Sequence, residues 1–209
     1  FFQKKKKSFF SEIFSVFFWG GGGGPPIFWA PPAPKYISDQ GEIMQNVIFR
    51  KAVADDVHGI MQIFSAARAF MAEQGNPQWQ DGYPYPSVVE SGVAGGNFRV
   101  AQLNGTVVAV YSVYTYDSEY EDVLIPWHFK GSYLAVHTLA VDGTCRGMGL
   151  ARRCLQGAEE EALALGKNSL RMDTHQKNLP MQRLLTSCGF VCCGTLPSRP
   201  GFLCYEKPL

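Results

Sequence analysis

His137-Thr-Leu-Ala-Val-Asp-Gly-Thr-Cys-Arg-Gly-Met-Gly-Leu-Ala151 is the stretch on which the fold turns. An apolar run, Tyr133 to Val141, ends in a short turn, a Gly-rich loop follows, and a long amphipathic segment comes after it. That order predicts strand, turn and helix, with a row of free backbone N–H groups at the helix N-terminus. Free donors at the positive end of a helix dipole suit a phosphate or pyrophosphate. Gly149 and the small Ala151 let a bulky anion approach the backbone, and Arg146 adds a planar fork of donors. The loop is not a P-loop, because Gly-Lys-Ser/Thr is missing, and it lacks the G-x-G-x-x-G of a dinucleotide site.

On the C-terminal side, the pattern predicts a helix from about Gly149 to Leu165. Its buried stripe is Ala151, Cys154, Leu155, Ala158, Ala162 and Leu165, and Gly166 stops it. Ser169 to Asp173 reads as a strand. Asn178 then caps a short helix with Pro180 in its first turn and Met181, Leu184, Leu185 and Cys188 on its inner face. Phe190–Leu196 and Phe202–Glu206 read as two closing strands.

On the N-terminal side, Val47 to Ala52 reads as a first strand and Asp55-Asp56 as the start of a helix. The apolar stripe of that helix is Val57, Ile60, Met61, Phe64, Ala67 and Met71. Residues 75–86 are loop by their Pro and Gly content, yet carry Trp79, Tyr83 and Tyr85. Such rings either line a binding site or plug the end of the core. A short helix, Ser87–Ala94, precedes a hairpin of Phe98–Leu103 and Thr106–Tyr116 around Asn104-Gly105. Residues 117–131 form an acidic, aromatic loop. The order β-α-α-β-β-β-α-β-α-β-β implies an α+β fold, a mixed sheet with helices on both faces.

The first 43 residues read differently. Phe-Phe, four Lys, five Gly and paired Pro follow one another without periodicity, as translated homopolymeric codon runs would, so residues 1–43 are expected to be a non-native or disordered leader and Gly/Pro linker. A signal peptide is the competing reading, opposed by Ser11, Glu12 and Ser15 inside its apolar run and by the lack of a clear cleavage site. Residues 44–209 are then a single domain. This part has 14 Lys/Arg and 15 Asp/Glu, a near balance that gives no electrostatic case for nucleic acid, and no run of the chain suits a membrane span. The six cysteines contain no C-x-x-C pair, which points away from a structural metal site and towards a reduced, cytoplasmic setting.

Arg146, Gly149 and Ala151 fit Arg/Gln-x-x-Gly-x-Gly/Ala, a pattern that resembles the acetyl-CoA pyrophosphate loop of the GNAT acetyltransferase superfamily. A second motif agrees. Asn178, Met181, Leu184, Leu185, Gly189 and Phe190 match Asn-x-x-Ala-x-x-Leu-Tyr-x-x-x-Gly-Phe, with Leu185 where many members carry a Tyr that protonates the departing thiolate. Asn76–Gln80 and Asp173–His175 resemble small bacterial members. The resemblance spans residues 47–207 and implies a sheet of six to seven strands whose fourth and fifth strands splay apart. It implies that Leu139 and Val141 meet the pantetheine arm, that Arg146, Gly147, Met148, Gly149, Leu150 and Ala151 hold the pyrophosphate, and that Asn178 contacts the arm from the far side. A homodimer is plausible by the same resemblance.

Acetyl transfer to an amine needs a base, an oxyanion site and a departing thiol. His has a pKa suited to the base, and His137, within His-x-Leu-Ala-Val, resembles a family position at which the His is assigned that role. It is therefore the catalytic candidate, unless it is a core His that orients its neighbours. The acid is open between Cys188, His175, a loop tyrosine and water, with Asp173 read as structural. Trp79, Tyr83, Tyr85 and Tyr111 are expected to form an aromatic pocket for an apolar or cationic acceptor, a small-molecule or peptide amine. The expected activity is acetyl-CoA-dependent N-acetyl transfer without a metal. The alternative is a CoA- or acyl-CoA-binding sensor with little catalysis.

Overall fold

The computed structural model describes residues 46–209; the leader reading and the boundary at Met44 lie outside the described residues. Seven strands form one sheet: β1 Val47–Lys51, β2 Phe98–Leu103, β3 Thr106–Tyr114, β4 Tyr133–Val141, β5 Ser169–His175, β6 Val191–Thr195 and β7 Phe202–Pro208. The helices are α1 Val57–Glu73, α2 Pro86–Ala94, α3 Leu150–Ala164 and α4 Leu179–Ser187. The strand order is β1-β2-β3-β4-β5-β7-β6, and only β4–β5 is parallel.

The helices cover both faces because their apolar stripes do. Ile60 and Phe64 of α1 and Val89 of α2 pack with Phe98, Val100, Val110 and Ala140. Leu150, Cys154, Leu155 and Ala158 of α3 and Leu185 of α4 pack with Tyr111, Leu134, Val136 and Leu170 on the opposite face. A third cluster joins Tyr120, Ile125, Tyr133, Ala135, Leu196 and Cys204. Two expectations are corrected. Leu165 is the C-cap residue of α3 and is 51% exposed, so the buried stripe begins at Leu150 and ends at Ala162. The 117–131 segment is not all loop, since Ser118–Glu121 forms a 3-10 turn capped by the Asp117 side chain.

Two irregularities of β4 shape the centre of the sheet. Its pairing with β5 covers only Tyr133–Ala135 against Ser169–Arg171, and beyond that the two strands diverge. Its pairing with β3 slips by one residue, from Val110↔Ala140 to Ser112↔His137. The extra residue lies at Thr138, whose φ of 53° is left-handed, a costly conformation for a β-branched side chain. Ser112 Oγ holds it, 2.8 Å from Thr138 Oγ1 and donating to His137 O at 3.3 Å. One extra residue reverses the alternation of the strand. Tyr133 and Ala135 share one face, and His137 follows them by period. Leu139, past the bulge, joins Leu134 and Val136 on the other.

Candidate active site

A cleft of about 870 Å³ opens where β4 and β5 part, and it is lined by β4 from Val136 to Val141. Its far wall is Met172–Thr174 of β5 with Asn178, Pro180, Met181 and Leu184 of α4. Loop residues Gln78, Trp79 and Tyr83 and the segment Tyr116–Glu119 close its other end.

At the mouth, the chain turns into α3 through Gly147 and Gly149, with φ of 80° and 82°. This left-handed backbone suits glycine and leaves the first turn of α3 without a side-chain cap at Gly149. Leu150 is buried and anchors the helix start, while Arg146 and Ala151 line the cleft. The Arg146 guanidinium lies 3.6 Å from the centre of the Phe70 ring, which steers the cation across the cleft mouth. Asp142 N–H bonds Val108 O on β3, so strand alternation turns the amides of Leu139 and Val141 to the open edge. Asn178 caps α4, its Oδ1 accepting from Met181 N.

His137 sits in the middle, half-buried between two carboxylates. Nε2 lies 2.9 Å from Asp117 Oδ2, and Nδ1 lies 3.7 Å from Asp173 Oδ1. The first contact lacks the directionality of a hydrogen bond, and Nε2 is screened from solvent. The rings of Tyr120 and Tyr114 flank the imidazole at centroid distances of 5.4 and 5.7 Å. Burial would raise the Asp117 carboxyl; His137, the Glu119 N–H and Arg199 outweigh it and hold the group below its usual range. Asp173 Oδ1 accepts from Tyr120 OH at 2.6 Å and Arg199 Nη2 at 3.3 Å. Burial and Asp173 push the Tyr120 phenol well up, so it remains a donor. Arg199 also pairs with Glu119 Oε2 at 2.7 Å.

The structure thus brings His137, Leu139, Val141, Arg146, Ala151, Asn178, Trp79 and Tyr83 to one cleft; Gly147 to Leu150 lie in the turn between its lining residues Arg146 and Ala151, with Leu150 buried in the core. It does not bring Tyr111 there. Tyr111 points to the α3 face, where it is 3% exposed and covered by the helix beside Gly157, because residues of β3 alternate between faces. Tyr85 also lies outside the cleft: it is the N-cap residue of α2, exposed, edge-on to Tyr83 and with its hydroxyl donating to Asp81 Oδ2. Cys188 and His175 do not line the cleft. His175 is the buried last residue of β5, its Nδ1 accepting from Lys177 N. Asp173, read as structural, faces His137. Sequence reasoning missed Asp117, Tyr120 and Arg199; for the first two the acidic, aromatic character of residues 117–131 was the available signal.

No group of three or more potential metal-ligating side chains gathers among the described residues, and no helix there is long and apolar enough to cross a membrane.

The model of the acetyltransferase (GNAT) family matches residues 62–190. A GNAT-family acetyltransferase structure from Streptococcus agalactiae is 30% identical, with TM-score 0.70 over 79% of this chain and 96% of that one. The PaiA N-acetyltransferase of Thermoplasma acidophilum, solved with coenzyme A, shares the fold at 12% identity and TM-score 0.60, covering 78% of this chain and 99% of its own. A Salmonella typhimurium protein solved with acetyl-CoA as its cofactor is similar at 20% identity and TM-score 0.58, over 78% and 94% of the two chains. No curated protein sequence matches the chain.

Proposed function

The chain belongs to the acetyltransferase (GNAT) family, and on that premise we propose that it is an acetyl-CoA-dependent N-acetyltransferase acting on a small-molecule or peptide amine by direct transfer. The observation that carries the reading is His137, set at the parting of β4 and β5 with a carboxylate near each ring nitrogen.

The cleft fits the donor substrate on its own terms. Its mouth offers an exposed guanidinium and an uncapped helix turn, the chemistry of a pyrophosphate site. Its floor offers strand amides on an open edge, the chemistry of an amide-bearing arm. Acetyl-CoA supplies an acyl group activated as a thioester. Arg146 and the Gly147–Ala151 turn hold the diphosphate, and Leu139, Val141 and Asn178 hold the arm.

An ammonium group enters at the other end, where Asp117, Glu119 and Asp173 outnumber Arg199 and where Trp79, Tyr83 and Tyr114 supply ring faces. A cationic amine on an apolar body suits this end; an acceptor with its own carboxylate is repelled. His137 takes the proton, and Asp117 and Asp173 stabilise the imidazolium that results. The free amine then attacks the thioester carbonyl, the carbon–sulfur bond breaks as the carbon–nitrogen bond forms, and the second proton shed by the nitrogen passes through water to the departing thiolate. α4 presents Asn178, Pro180, Met181 and Leu184 to the cleft and no acid. A thiolate is a good leaving group without a protein acid beside it, and the proton relayed through water makes it the thiol.

The test is thiol release with phenethylamine, spermidine and a peptide α-amine, in the parent and in His137→Gln. The expected result is turnover of at least one amine in the parent, falling about 10²- to 10⁴-fold in the variant with acetyl-CoA affinity unchanged. A binding sensor would release no thiol with any amine and would be indifferent to the substitution.

A further inference from the structure

Two segments about a hundred residues apart meet at one side chain. Gln78 Oε1 accepts from Asn178 Nδ2 at 3.1 Å and from Thr174 Oγ1 and His175 N–H, both at 3.3 Å. These partners lie at the end of β5 from which β4 has departed. Gln176 N–H bonds Gly201 O on the β7 side, so alternation turns His175 N–H to the open edge. The Gln78 amide oxygen stands there in place of a strand carbonyl.

Each neighbour of Gln78 belongs to a different wall. Asn178 gives its Oδ1 to the cap of α4 and one N–H to Gln78, which fixes the plane of its amide on the cofactor side. Trp79, next in the chain, has a left-handed φ of 64° and lines the acceptor side, edge-on to Phe64 at 5.6 Å. The loop is tied down ahead of it: Gln78 N–H bonds Asn76 Oδ1, and Lys177 Nζ bonds Gly75 O.

We propose that Gln78 is a positioning residue that sets both walls of the cleft at once, orienting Asn178 toward the donor substrate and holding Trp79 against the acceptor. The inference rests on the reading of the cleft as an acetyl-CoA and amine site. It predicts a coupling that neither wall has alone. Asn178→Ala disturbs the cofactor side only, whereas Gln78→Ala disturbs both.

The experiment is calorimetric titration of acetyl-CoA into the full chain and into Gln78→Ala, Gln78→Glu and Asn178→Ala, with hydrogen exchange over residues 76–85 and a melting curve for each. Gln78→Ala is expected to weaken acetyl-CoA binding about tenfold and to speed exchange in the loop. Gln78→Glu keeps an oxygen for the three donors and is expected to return affinity to within about threefold of the parent. Asn178→Ala is expected to weaken binding without speeding loop exchange. Parent-like affinity in Gln78→Ala, or a loss that Gln78→Glu does not restore in a folded protein, overturns the inference. A parent that does not bind acetyl-CoA overturns the functional reading beneath it, and the inference with it.

Discussion

Asp117 carries its charge into a half-buried pocket because His137, a backbone N–H and Arg199 meet it there. A carboxyl whose pKa falls on folding stabilises the native state above its unfolded value, near 4, and that contribution is lost as pH falls through the folded value. Asp117→Asn is therefore expected to be less stable than the parent at neutral pH. The two denaturant midpoints are expected to converge as pH drops below about 4; parallel midpoints at all pH values would contradict the pairing. Besides Asn104 in its hairpin turn, Thr138 and Trp79 hold left-handed backbone, at a cost of about 1–2 kcal/mol each. Both border the cleft. At Thr138 the hydroxyl contact with Ser112 is part of what holds the conformation. Thr138→Val preserves shape and removes that contact, and is expected to cost about 1–2 kcal/mol in equilibrium unfolding.

At the scale of the element, the segment between β3 and β4 carries Asp117 and Glu119, so its anchoring matters to the site. The anchor is Glu206 of β7, fully buried. One oxygen accepts from Arg171 Nε and Ser169 Oγ, the other from the backbone N–H groups of His128 and Phe129. Arg171 lies 4.3 Å from the ring centres of both Trp127 and Tyr133. Glu206→Ala would leave the guanidinium buried without its partner, a loss of about 3–5 kcal/mol in unfolding free energy. A loss near zero would show that water reaches Arg171.

Most elements were legible from periodicity. The α1 and α3 stripes, the Asn104-Gly105 hairpin and the Gly147–Gly149 turn each depend on local chemistry that the sequence displays directly. What the sequence does not display is parity. Tyr111 alternates to the face under α3, and His137 and Leu139 fall on opposite faces because Thr138 is an extra residue in the strand. No periodic pattern announces that bulge. Asp117 and Arg199 were not legible because they come from separate loops, Asp117 to His137 and Arg199 to Asp173, through tertiary contacts.

Over the whole molecule, the cleft is electrically polarised. Arg146 marks the mouth at the α3 turn, while the carboxylates of Asp117, Glu119 and Asp173 collect at the other end around a single Arg199. An anionic donor and a cationic acceptor would thus enter from opposite ends and meet at His137, with the β4 bulge beside them. The sheet makes this possible by parting β4 from β5 after three paired positions, while the remaining ladder holds the two halves together.

The most direct test is calorimetric titration of acetyl-CoA into the parent chain and Arg146→Glu. The account predicts one site per chain in the parent and an affinity at least about tenfold weaker in the variant, where a carboxylate faces the diphosphate. Equal affinity in the two proteins, or no binding to the parent, would contradict the assignment of the α3 turn as the pyrophosphate site, and with it the account of the cleft.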